Sequence, residues 1–151
     1  MELADEIVIP VKLDIVYAGL NNIEILKKCI PGCEELSALN DTDLTASVVL
    51  KIGPIKAKFN GVVTLDKARA PQFFSLSGQG DGGVAGFAKG SADVELVEKG
   101  GGTTLKYTAK AETGGKIAQL GSRLINSTAK KLSKQFFDNF ETEMARDTPT
   151  D

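Results

Sequence analysis

The chain has 151 residues, 42% hydrophobic and 25% charged, with a formal net charge of −2. A chain of this length and composition buries roughly 70% of its unfolded surface as one globular unit, which excludes disorder and any need for disulfide staples. Near-neutral charge excludes a global attraction to nucleic acid, and the absence of histidine removes the commonest general base and the commonest metal ligand.

In chain order, Leu3 to Ile9 form a first expected strand, which Pro10 ends. Asp14 to Leu20 and Ile23 to Ile30 follow as two helical stretches, each too short to stand alone. Cys29 and Cys33 flank Pro31-Gly32, which breaks the second helix. Two cysteines are too few for a disulfide framework and point to a reducing compartment. Their spacing supplies half a metal site at most, since tetrahedral zinc needs further ligands. They read as two small thiols beside a turn, and no metal or cofactor is expected.

After the turn the pattern becomes strict alternation. Leu44, Ala46, Val48, Leu50 and Ile52 share one face, and Gly53-Pro54 then turns the chain. Ile55, Ala57, Phe59, Val63 and Leu65 continue that face, and similar alternation recurs in Phe74 to Gly80, Ala88 to Leu96 and Thr103 to Ala111. This is the pattern of an antiparallel sheet with one dry and one wet face. Asn40 to Thr42, Lys67 to Pro71, Asp81 to Gly83 and Gly100 to Gly102 carry turn chemistry.

Gly114-Gly115 closes the sheet region, and helical periodicity runs from Lys116 to Arg146, about 46 Å of helix. Ala118, Gly121, Ile125, Ala129, Leu132, Phe136 and Phe140 form its apolar stripe. Lys116, Arg123, Lys130 and Lys134 lie opposite, as a solvated face or a surface for an acidic partner. The expected order is βααββββββα, an α+β helix-grip fold in which the long helix covers the dry face of the sheet. Residues 1–146 are expected to form one domain and 147–151 a polar tail.

Side-chain size falls toward one end. The inward series are Gly86, Ala88, Gly90, Ala92 before Val94 and Leu96; Phe74 and Leu76 before Gly78 and Gly80; and Leu105 and Tyr107 before Ala109 and Ala111. The long helix would begin at the same end with Ala118, Gly121 and Ser122, ahead of Ile125. Since interiors pack to about 0.74 density, lost volume either collapses or leaves space. An apolar cavity is expected here, opening at the glycine-rich end against a wall of Leu50, Ile52, Ile55, Ala57 and Phe59. Close approach of helix and sheet is the competing outcome.

The run Gly78 to Gly86 superficially resembles a glycine-rich phosphate loop, but strands on both sides make it a hairpin. No catalytic residue is expected. Tyr107 points inward by parity, and no paired carboxylates occupy the inward face of any strand. The start of the chain lacks the pattern of a signal peptide, and no stretch approaches the ~18 apolar residues of a membrane span. A cytoplasmic protein is the expectation.

Asn21 to Glu34 (NNIEILKKCIPGCE) resembles the N-terminal hallmark of the CoxG family of carbon monoxide dehydrogenase subunits. Lys116 to Phe137, with Gly121 to Ile125 at its core, is similar to that family's C-terminal helix, and Gly53-Pro54 followed by Lys56 and Phe59 also fits. The resemblance implies the START-like (SRPBCC) helix-grip fold, a non-enzymatic role and an apolar ligand: a lipid, fatty acid or isoprenoid quinone. It also implies an association with a molybdenum-containing CO dehydrogenase or its assembly factors, either as ligand carrier or as docking adaptor. Longer family members carry a C-terminal extension toward the membrane. The polar ending Arg146 to Asp151 departs from them, leaving only peripheral membrane contact open.

Overall fold

The computed structural model describes residues 1–147, so the tail expected at 147–151 lies, beyond Asp147, outside the described residues. The elements are β1 (Glu2–Ile9), α1 (Leu13–Leu20), α2 (Ile23–Cys29), β2 (Cys33–Ala38), β3 (Asp43–Ile52), β4 (Ile55–Asp66), β5 (Phe73–Asp81), β6 (Phe87–Lys99), β7 (Gly102–Gly114) and α3 (Ser122–Asp147). This is the expected order, βααββββββα. Sequence alternation does not delimit β2, because Glu34 and Glu35 follow one another and the register shifts by a bulge between Cys33 and Glu35, which breaks the period of two.

All seven strands form one antiparallel sheet in the order β1-β7-β6-β5-β4-β3-β2. Register confirms the parity read from sequence. Phe74 lies opposite Val94, Gly78 opposite Gly90 and Gly80 opposite Ala88, while Ala111, Ala109, Tyr107 and Leu105 continue the same rows into β7. The wet face carries cross-strand ion pairs, including Lys106 with Glu6 at 3.5 Å and Lys58 with Glu34 at 3.2 Å. Exposed pairs of this kind contribute about 0–1 kcal/mol each, so they select register more than they stabilise.

Local chemistry places the short elements. The Asn22 side chain accepts from the Glu24 and Ile25 amides at 3.0 and 3.2 Å, capping α2. Asn40 accepts from the Thr42 and Asp43 amides in the β2–β3 turn. Asp43 in turn accepts from Asn40 Nδ2 and Thr64 Oγ1, and these hydrogen bonds hold its carboxyl below the usual range. Thr103 donates to the Val11 carbonyl at 2.7 Å, and Asn139 Nδ2 to the Cys29 carbonyl at 3.1 Å. The second bond ties α3 to the end of α2.

The long helix starts later than its periodicity suggests. Lys116–Leu120 form a separate 3-10 turn, and Gly121 at φ +94 divides it from α3. A continuous helix cannot pass through a left-handed residue. The shift re-aims the segment: Ile117 is buried, whereas Ala118, Gly121 and Ser122 are exposed. Those three residues, expected to face inward, do not.

The core has two parts. One cluster joins Ile9, Val11, Val16, Ile25, Cys29, Phe74, Val94, Leu96, Leu105, Phe140 and Met144, with Tyr107, Phe136 and Phe137 against it. The other joins Ile52, Phe59, Ala85 and Ile117, with Leu50, Ile55, Ala57, Leu120, Leu124 and Ile125 at its border. The first is the expected thick end. The second fills the glycine-rich end, because Phe59 and Ile117 supply there the volume that the strands lack. The expected opening at that end is thus corrected to a packed cap.

Candidate functional site

Between the two clusters the sheet and α3 face each other without closing. Ala88, Ala92, Ala109 and Ala111 on the sheet stay half-buried, as do Ala129, Leu132 and Phe136 on α3. A methyl group on Gly80 would find only Phe59 within 4 Å, and the three atoms nearest one on Gly90 would all belong to β7. Close approach of the helix would have placed α3 atoms there. Small side chains in the middle of the sheet therefore leave a gap rather than a tight helix contact.

A groove flanks α3 on each side. On one side a groove of about 640 Å³ is lined by Leu3, Asp5 and Ile7 of β1, Tyr107 of β7, and Lys130, Ser133, Lys134, Phe137 and Asp138 of α3, with Glu2, Ala4 and Glu141 at its rim. Tyr107 and Phe137 stack across it, ring centroids 5.2 Å apart. Lys134 meets Asp138 at 2.8 Å, and this hydrogen bond raises the lysine pKa. On the other side a groove of about 590 Å³ runs between β3 and α3, past Pro31, Gly32, Val49, Leu50, Lys51 and Gly53, and past Leu124, Ser127, Thr128, Lys131, Leu132 and Gln135. Both volumes fall in the range of small-molecule sites.

The residues expected to bind a ligand are thus distributed. Tyr107 lies in the first groove and Leu50 in the second. Ile52, Ile55, Ala57, Phe59 and Ile125 belong to the cap cluster. Ala88 and Ala109 face the gap, whereas Gly78, Gly90 and Ala111 also floor a hollow of about 480 Å³ on the outer face. Gly86 sits at φ +108 against the Gly114 carbonyl, where any side chain would collide. Of the basic stripe, Lys130 and Lys134 border the first groove, and Lys116 and Arg123 are exposed near the cap.

Sequence reading missed the β1 wall and the α3 flanks. Leu3, Asp5 and Ile7 alternate on the inward face of β1, opposite Ala109, Tyr107 and Leu105, so the period of two could have revealed them. Phe137 lies beside the assigned stripe, and only the true helix start fixes its direction. Among the described residues no three Cys, Asp or Glu side chains converge as a metal site requires, and no helix is long and apolar enough to cross a membrane. Cys29 and Cys33 are free thiols.

A seven-stranded antiparallel sheet gripping a long C-terminal helix, with a gap between them, defines a START-like helix-grip protein. The model of the CoxG family of carbon monoxide dehydrogenase subunits matches residues 6–145, and the chain belongs to that family. A conserved protein from Geobacillus kaustophilus is similar over 97% of this chain and 96% of its own, at 28% identity and a TM-score of 0.90. A START superfamily protein from Mycobacterium smegmatis shares the fold at 15% identity and a TM-score of 0.77, covering 97% and 99% of the two chains. An aromatase/cyclase from Streptomyces sp. R1128 does so at 11% identity and a TM-score of 0.72, covering 97% and 94%. No curated protein matches the chain.

Proposed function

We propose that the protein carries an elongated apolar ligand (a lipid, fatty acid or isoprenoid quinone) in the gap under α3. The observation that supports this reading most is the row of half-buried apolar side chains on both walls, between two clusters of buried side chains. A ligand there would gain about 25 cal/mol per Å² of apolar surface removed from water. We also infer a role in the cytoplasm beside a molybdenum-containing CO dehydrogenase-type enzyme, and the family's name supports the link to CO dehydrogenase. Native mass spectrometry of the purified protein, with organic extraction of what it holds, tests the carrier role. Protein that is empty and binds none of the three ligand classes overturns it.

The role is non-enzymatic. Tyr107 is an inward-facing residue that could act as an acid, and its ring stacks on Phe137. If Tyr107 served catalysis, Tyr107→Phe would abolish turnover of a bound ligand; we expect ligand content and composition to stay unchanged.

A docking role for the basic residues is a second reading. Exposed Arg123 and Lys130 form no ion pair among the described residues. Rim charges of this kind set encounter rate and register with an acidic partner. Arg123→Glu with Lys130→Glu is expected to weaken recovery of the redox enzyme in a pull-down, and equal recovery removes this reading.

A further inference from the structure

The two grooves beside α3 differ in charge. The groove between β1 and α3 carries four carboxylates, Glu2, Asp5, Asp138 and Glu141, against two lysines. The groove between β3 and α3 carries Lys51 and Lys131 and no carboxylate. Neither of these lysines makes an ion pair among the described residues.

The β3 side also exposes backbone. Pairing of β2 with β3 stops at Cys33 and Val48, and one more bond runs from the Val49 amide to the Gly32 carbonyl at 2.9 Å. Alternation along the strand then turns the N–H of Lys51 toward the same side, where β2 is no longer present to receive it. Two ammonium groups, one peptide N–H and the Gln135 amide therefore surround a recess whose wall is Leu50 and Leu132. Lys51, Lys131 and Gln135 are exposed at this mouth, so an acceptor brought there would replace water as their partner. Ammonium groups can only donate.

We propose that the β3–α3 mouth seats the polar head of an amphiphile whose head is an oxygen acceptor, with its tail running under α3. A carboxylate and a quinone carbonyl share that chemistry. A cationic head is disfavoured at this mouth by both lysines. The inference rests on the carrier reading above, and deepens it by giving the bound ligand a direction.

The test compares three probes of similar tail length, each below its micelle concentration: dodecanoate, decylubiquinone and dodecyltrimethylammonium. Binding is measured by calorimetry to the wild-type chain, to Lys51→Glu/Lys131→Glu, and to the control Lys12→Glu/Lys99→Glu, which makes the same charge change away from the groove. The expected result is that an acceptor probe binds wild type at least about tenfold more tightly than the ammonium probe. The groove variant should lose that preference and the control should keep it. Tighter binding of dodecanoate that weakens with salt identifies a carboxylate head, whereas tighter, salt-independent binding of decylubiquinone identifies a carbonyl head. Equal affinity for all three probes, or a preference unchanged in the groove variant, overturns the head site while leaving the carrier reading intact. If no probe binds, the carrier reading fails and the head site falls with it.

Discussion

Tyr107 on β7 and Phe137 on α3 stack with their planes inclined by only 22°. Phe137 also meets Phe136 edge-on at 5.0 Å, and Phe136 lies parallel to Phe140 at 6.2 Å. This aromatic run marks the border at which α3 stops being packed against the sheet. Toward the C-terminus Phe140 and Met144 are completely covered. Toward the N-terminus the sheet-facing side chains are half-open.

The border should be visible in stability. Phe140→Ala removes a fully buried ring and is expected to cost roughly 3–5 kcal/mol. Phe136→Ala, one turn earlier and half-buried, should cost less than half of that, because part of its surface already lacks partners. Urea unfolding of the two variants measures the difference, and equal losses would mean the gap ends further along the helix.

Ala88 faces the gap from β6, in register with Gly80 and Thr113. Ala88→Phe should therefore abolish uptake of apolar ligand while leaving the melting temperature nearly unchanged. In a packed site the same change would cost about 1–3 kcal/mol. Thermal melts combined with ligand extraction separate the two outcomes.

Two glycines of positive φ make a contrasting pair. At Gly121 (φ +94) a Cβ would have nothing within 4 Å, so Gly121→Ala should cost only backbone strain, about 1–3 kcal/mol. At Gly32 (φ +75) it would also run into the Val49 carbonyl oxygen, at the place where β2 hands over to the mouth beside β3. Gly32→Ala should cost on the order of 3 kcal/mol or more. A similar cost for both would mean that the segment around Gly32 yields.

The two thiols should react differently. Burial pushes the Cys29 thiol up to about 11, with the Glu143 charge acting in the same direction and Lys28 against it. Burial also raises Cys33, more exposed, against the opposing charge of Lys27. An aromatic disulfide reagent near pH 8 should modify Cys33 first, and Cys29 only as the chain unfolds. Because the folded chain holds the Cys29 proton more tightly, its contribution to stability is complete below the ordinary value of 9.0 and is lost as pH rises through about 11. Cys29→Ala should flatten the stability profile over that interval, and a profile unchanged by the substitution would contradict the assignment.

The element order, the antiparallel sheet and its inward face were legible because a half-buried sheet forces a period of two on its sequence, as in Leu44 to Ile52 and Ala88 to Leu96; the place of β1 beside β7 was not. The site was legible only in part. Thinning of the strands at Gly78, Gly90 and Ala109 marks where side-chain volume is small. It could not report that Phe59, reaching across from β4, and Ile117, swung inward by the break at Gly121, would refill one end. Helical periodicity fits Lys116 to Leu120 as well as it fits α3, since a 3-10 turn also repeats every three residues. The grooves depend on which flank of α3 meets which strand, a tertiary relation that no local pattern encodes.

The pairing of β1 with β7 has a consequence for synthesis. Glu2 to Ile9 leave the ribosome well before their partners, Thr103 to Lys110, which follow about a hundred residues later. At 5–20 residues per second the first strand waits roughly 5–20 s for its neighbour. Glu2, Asp5 and Glu6 give the waiting segment three negative charges within five residues, which discourages edge-to-edge pairing with other nascent chains. Glu6 and Glu2, which later meet Lys106 and Lys110, thus act earlier with Asp5 as a guard on an unfinished polypeptide.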